Sequence, residues 1–266
     1  MNGPRRPSVE RGGGGAPLSI EVMKDGEALA LRVADVFALA AQEASAARGR
    51  FAVALSGGET PLALYKLLAR QQFQQKIPWR RAQLYWGDER CVPPGDPQSN
   101  YGMAHDAFIR HVPIAPENVH RMRGEDLPEE AAHEYDADLR RLADQMRPRV
   151  DVPVFDLVLL GLGGDGHTAS LFPHSDALAV EEQFCVATTA PDGSPRLTIT
   201  APVINAARRV WFLVSGAAKA GMVAEVLEGL KVPTAVPAQG VAPAHGSLTW
   251  FLDEAAAADL SHGARA

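Results

Sequence analysis

The chain has 266 residues, 46% hydrophobic and 22% charged, with Lys+Arg 26 against Asp+Glu 32 and a formal net charge of −6. That is the make-up of a globular protein able to bury a sizeable core. It argues against nucleic acid as a partner, since no basic run is present, and against a membrane span, since no apolar run nears about 20 residues.

Residues 1–17 are rich in Gly, Pro and Arg and lack an apolar centre, so they read as a disordered leader rather than a signal peptide. From residue 18 onward one domain is expected, with strands and helices in alternation. LSIEVM (18–23) predicts a strand, and Asp25 caps a long helix that runs to about Ala47 and stops at Gly49. FAVALS (51–56) is a strand and Pro61 to Gln71 a helix. AQLYWGD (82–88) is the next strand, SNYGMAHDAFIRH (99–111) a helix, and Pro128 opens an acidic helix to about Met146. FDLVLLG (155–161) is an apolar run bounded by glycine, the pattern of a buried parallel strand. FCVATT (184–189), RLTIT (196–200) and RRVWFLVS (208–215) are further strands. Ala217 to Gly229 predicts a helix, LTWFLD (248–253) a strand, and DEAAAADL a last helix. This alternation implies an α/β fold with a mostly parallel sheet and helices on both faces.

Ligands of such sheets bind at the strands' C-terminal ends, and four motifs fall there. SGGETP (56–61) joins a strand to a helix. Gly57 and Gly58 let the backbone approach a ligand, Thr60 suits the helix cap, and free N–H groups favour an anion such as phosphate. WGDERCVPPGDPQSNYGMA (86–104) places Asp88, Glu89 and Arg90 past a strand, and Ser99 can cap the helix that follows. Arg90 offers a fork that matches phosphate or carboxylate oxygens. GLGGDGHTASLFP (161–173) puts Asp165 and His167 one residue apart after glycines. It formally matches G-x-G-x-x-G. A dinucleotide site, however, needs a long helix next, which Pro173 forbids, and an acid ending the following strand, where FCVATT has threonines. SGAAKA (215–220) sets Lys219 in a first helical turn, an unfavourable place for a cation unless an anion also binds. Arg196, which begins RLTIT, is a further candidate cation.

The chemistry these parts allow is attack by an activated water. A neutral histidine can take a proton from water at neutral pH. Asp165 can fix the tautomer of His167 and favour the imidazolium that forms. The N–H groups of Gly163, Gly164 and Gly166 are candidates to stabilise a developing oxyanion. Neither a G-x-S-x-G elbow nor a metal-binding histidine cluster is present, so attack without a metal is expected. The two cysteines, Cys91 and Cys185, are far apart without metal-ligand spacing, which fits a reducing, cytoplasmic compartment.

Taken in order, SGGETP, GDERCVP with SNYGMA, GLGGDGHTASLFP, RLTIT and SGAAKA give a chain that resembles the 6-phosphogluconolactonases of the pentose phosphate pathway over about residues 18–254. The resemblance implies a modified Rossmann-like three-layer sandwich shared with glucosamine-6-phosphate deaminases. It implies hydrolysis of 6-phospho-D-glucono-1,5-lactone to 6-phosphogluconate without metal or cofactor, by a monomer or small homo-oligomer. His167 would be the general base and Asp165 its supporting carboxylate. Ser56, Gly57, Gly58, Arg90 and Lys219 would hold phosphate and sugar, and Asp88 and Asn100 would line the pocket. Two positions depart from the family pattern: Glu59 stands where serine is frequent, and Gly164 where proline is frequent.

Two other functions compete. An amino-sugar-phosphate deaminase would carry a glutamate a few residues after the histidine, whereas here no carboxylate follows His167 until Asp176. A non-catalytic sugar-phosphate sensor would keep Arg90 and Lys219 but would have no use for Asp165 and His167.

Overall fold

The computed structural model describes residues 17–261. In chain order the elements begin with β1 (Leu18–Met23), α1 (Gly26–Arg48), β2 (Phe51–Leu55), α2 (Glu59–Leu68) and α3 (Gln71–Lys76). They continue with β3 (Ala82–Trp86), β4 (Asp88–Arg90), α4 (Asn100–Ala107), α5 (Pro128–Asp144) and β5 (Leu157–Leu160). The remainder are β6 (Cys185–Thr189), β7 (Pro195–Ile199), α6 (Ala201–Ala206), β8 (Arg209–Val214), α7 (Ala220–Glu228) and β9 (Ser247–Asp253).

Six strands pair in the order β1-β9-β8-β5-β2-β3, every neighbouring pair parallel. The inner strands β2 and β5 are buried along their whole length, as continuous apolar runs must be when helices cover both faces. From β2 the chain moves to β3 on one side, and later returns to β5 on the other. The loops after β2 and β5 therefore diverge, and a crevice opens between them at the strands' C-terminal ends. α1 packs over the sheet through Leu29, Val33, Phe37 and Ala41, all fully buried. Its ends are those the sequence predicts. Asp25 accepts the Ala28 N–H at 2.9 Å, and Gly49 closes the helix with φ of 74° and its N–H on Ser45 O.

The two strands 184–189 and 196–200 do not join this sheet. With β4 they form a separate antiparallel sheet, β4-β7-β6, in which Arg90 lies opposite Arg196 and Asp88 opposite Thr198. Gly87 links the two layers: its N–H donates to Leu55 O at 2.8 Å and its carbonyl accepts from Ile199 N at 2.9 Å.

Several expectations need correction. α2 starts at Glu59, so Gly58 is its N-cap and Thr60 lies inside the helix. β4, α3 and α6 are too short to stand out in the sequence. The helix expected after β9 is a series of turns. There the Asp253 carboxylate takes the N–H groups of Ala256 and Gly216, which ties this stretch to the end of β8, and so short a run nucleates poorly. The leader expected over 1–17 lies outside the described residues except for Pro17, whose carbonyl accepts from Leu248 N at 3.0 Å.

Candidate active site

The loop after β5 builds a histidine–carboxylate pair. His167 Nδ1 lies 2.5 Å from Asp165 Oδ1, which also accepts the His167 backbone N–H at 3.1 Å. Partial burial works against the charge of Asp165, but these bonds and the facing imidazole hold its carboxyl below the ordinary range. An ionised carboxylate only accepts, so Nδ1 carries a proton, and in the neutral ring Nε2 is the nitrogen with the lone pair. Nε2 has no hydrogen-bond partner among the described residues. The ring also rests on Phe172, centroids 4.8 Å apart.

The loop holds its own shape. Gly163 N–H donates to His167 O at 2.8 Å and Gly166 N–H to Gly163 O at 3.2 Å. Thr168 Oγ1 donates to Gly161 O at 2.9 Å. These bonds correct the oxyanion assignment. The Gly163 and Gly166 amides are already committed, and of the three candidates only Gly164 keeps a free N–H on the cleft. Gly166 has another task, since φ of 84° turns the chain into His167. Gly163 is required sterically: a Cβ there would overlap the His167 ring and meet Asp165 Oδ1 at 2.6 Å. Gly163→Ala is expected to displace the His167 ring and to lower kcat by roughly 10²-fold, the loss that a misplacement of about 1 Å brings at a reacting centre. Steady-state kinetics with an unchanged melting temperature would check it, and a wild-type kcat would show that the loop absorbs the methyl.

The loop after β2 supplies the opposite wall. Tyr65 Oη donates to Ser56 O at 2.8 Å and accepts Ser56 N–H at 3.1 Å, fixing the turn. Gly57 has no room for a side chain because Asn100 fills that space. Gly58 has φ of 101° and provides no side-chain cap to α2, so the N–H groups of Glu59 and Thr60 have no acceptor among the described residues. Thr60 Oγ1 instead lies 3.1 Å from Ser215 Oγ, linking the start of α2 to the end of β8. Lys219 is the N-cap of α7 and has no ion pair among the described residues.

The third wall comes from β4 and α4. Asp88 accepts Ser170 Oγ at 2.8 Å and receives Asn100 Nδ2 on its backbone carbonyl at 2.9 Å. Burial pushes its carboxyl up, against the pull of Ser170, Arg90 and His167. Glu89, suggested by the sequence as one of three charges at a sheet edge, is 1% exposed and serves the scaffold. Its carboxylate takes the N–H groups of Arg90, Asn100 and Tyr101 at 2.7–2.8 Å and the hydroxyl of Ser99 at 3.1 Å. It thereby caps α4 and holds Arg90 and Asn100 in place. Arg90 Nη1 donates to Gln98 O at 2.5 Å.

These walls enclose a cleft of about 460 Å³ lined by Ser56, Gly57, Gly58, Thr60, Asp88, Arg90, Asn100, Gly163, Gly164, His167 and Lys219. Asp165 stands behind His167 and does not line it. Arg196 also lies outside the lining. Its Nη1 turns to Pro195 O, although antiparallel pairing sets it directly opposite Arg90, on the same face of the sheet. Ser215, Ser170 and Glu59 are site residues that the motifs did not single out as contributors. Ser215 follows β8 as Ser56 follows β2, a positional signal that was available in the sequence. Among the described residues no group of three or more His, Cys, Asp or Glu is placed to hold a metal ion. Nor is any helix among them long and apolar enough to cross a membrane.

Residues 24–250 match the family described as glucosamine-6-phosphate isomerases/6-phosphogluconolactonase. The chain belongs to that family. It is 41% identical to a 6-phosphogluconolactonase of Nostoc sp. over 244 residues, 91% of this chain and 98% of the relative. A solved 6-phosphogluconolactonase from Trypanosoma brucei superposes with a TM-score of 0.80 at 26% identity, covering 92% of this chain and all of that one. A solved monomeric glucosamine-6-phosphate deaminase superposes with a TM-score of 0.76 at 22% identity over 90% of this chain and 99% of that one, a likeness of fold alone. The crevice between β2 and β5 is thus built on a scaffold that both branches of the glucosamine-6-phosphate isomerase/6-phosphogluconolactonase family share.

Proposed function

We propose that this chain hydrolyses 6-phospho-D-glucono-1,5-lactone to 6-phosphogluconate, with His167 as the base that activates water. The observation that carries the mechanism is the pairing of His167 Nδ1 with Asp165, which leaves Nε2 free beside a cleft lined by Arg90 and Lys219. Nε2 takes a proton from water as the oxygen attacks the lactone C1. The Gly164 N–H, which has no partner among the described residues, stabilises the oxyanion in this reading. The C1–ring oxygen bond then breaks, and the imidazolium returns its proton to the departing ring oxygen. Asp165 stabilises the imidazolium while it exists. The phosphate is received by the free N–H groups at the start of α2, by Lys219 and by Arg90.

Deamination of an amino-sugar phosphate draws no support from the loop, because no carboxylate follows His167 before Asp176. The deciding experiment measures turnover of fresh 6-phosphogluconolactone, corrected for spontaneous opening, beside ammonia release from glucosamine 6-phosphate. Ammonia release at a comparable rate would overturn the assignment. Lys219→Ala is expected to lower kcat/KM by roughly 10- to 100-fold, the worth of one charge-assisted contact, mainly through KM. A phosphate-free lactone should be spared. Equal losses on both lactones would remove Lys219 from the phosphate site.

A further inference from the structure

Lactone hydrolysis changes the charge of the ligand. The substrate carries its phosphate alone, whereas the product carries the phosphate and a new carboxylate, because the acid formed at C1 ionises. Attraction for the phosphate therefore also retains the product, and a site that turns over must offset this. Five ionisable side chains line the cleft: Glu59, Asp88, Arg90, His167 and Lys219. Asp88 is engaged by Ser170 and Asn100. Glu59 is not engaged. It is exposed, it is the first residue of α2, and it makes no hydrogen bond or ion pair among the described residues. An acid in a first turn steadies a helix wherever on that turn it points. Helix stability alone does not account for a carboxylate in the wall of an anion-binding cleft.

We propose that Glu59 is a specificity-determining residue that disfavours the more anionic product and so speeds its release. The inference rests on the lactonase reading of the site. Glu59 adds repulsion to both ligands, but more to the one with the extra charge, and the effect decays with salt because the group is exposed.

The test compares wild type with Glu59→Gln and Glu59→Asp. Calorimetry with 6-phosphogluconate and with inorganic phosphate is run at low and high ionic strength, beside KM for the lactone. Glu59→Gln is expected to bind product about five- to tenfold more tightly, and the lactone and inorganic phosphate, with about two of the product's three charges, about three- to fivefold more tightly. The product effect should shrink in high salt, a response that a purely helical role would not produce. Glu59→Asp, which keeps the charge, should resemble wild type. If Glu59→Gln binds product no more tightly, or tightens product, lactone and phosphate equally, the proposal is overturned while the lactonase assignment stands. A wild-type chain without lactonase activity overturns that assignment, and the proposal with it.

Discussion

His167→Ala is expected to lower kcat for the lactone by roughly 10²–10⁴-fold, the range for loss of a general base. In the proposed mechanism the imidazole acts in the chemical step, so kcat and kcat/KM should fall together and KM should hold. The fold should tolerate the change. The side chain is 32% exposed, and its one hydrogen-bonded partner among the described residues is Asp165. The backbone bond from Gly163 N–H to His167 O, which shapes the loop, survives the substitution. Spontaneous opening of the lactone sets the floor of the assay, so the variant is measured against buffer alone. Retention of the wild-type rate would mean that another group activates water, and the mechanism would fail.

Asp165→Asn tests a different link. The amide keeps the size of the carboxylate but can present either its oxygen or its NH₂ to Nδ1. When NH₂ faces the ring, the imidazole proton moves to Nε2 and the lone pair that should receive a proton from water is lost. A loss on the order of 10²–10³-fold in kcat is expected, smaller than for His167→Ala because Phe172 still orients the ring. The substitution also changes how stability depends on pH. The native carboxyl titrates below its ordinary range, so between the two values the unfolded chain binds the extra proton. That share of stability is present above the ordinary range and disappears as pH falls through the lowered value. Melting temperatures across the acid range should show a shallower decline for Asp165→Asn. Full activity together with an unchanged acid profile would show that the pair is incidental.

Local patterns made much of this legible in the sequence. Asp25 and Gly49 mark the ends of α1 because caps depend on a few adjacent residues. The apolar run into Gly161 locates the central strand, and Asp165 and His167 are close enough in sequence that loop geometry alone pairs them. What stayed hidden depends on distant partners. β4 is three residues long and exists because β7, more than a hundred residues later, pairs with it. Glu89 looks like a cleft charge until the start of α4 folds back onto its carboxylate. The amides of Gly163 and Gly166 look available until the loop closes on itself. Arg196 stands opposite Arg90 yet is missing from the cleft wall because its guanidinium turns to Pro195 O, a side-chain choice that the sequence does not reveal.

The sheet order has a bearing on how the protein is made. β1 comes first among the described strands, yet its neighbour in the sheet is β9, which comes last among them. On the ribosome the amino-terminal strand has nothing to zip against until residues 247–253 have emerged, so its apolar face must wait or be chaperoned while the rest assembles. A premature stop ahead of Ser247 would therefore cost two strands, leaving β8 as a raw border with unpaired N–H and C=O groups open to misassociation.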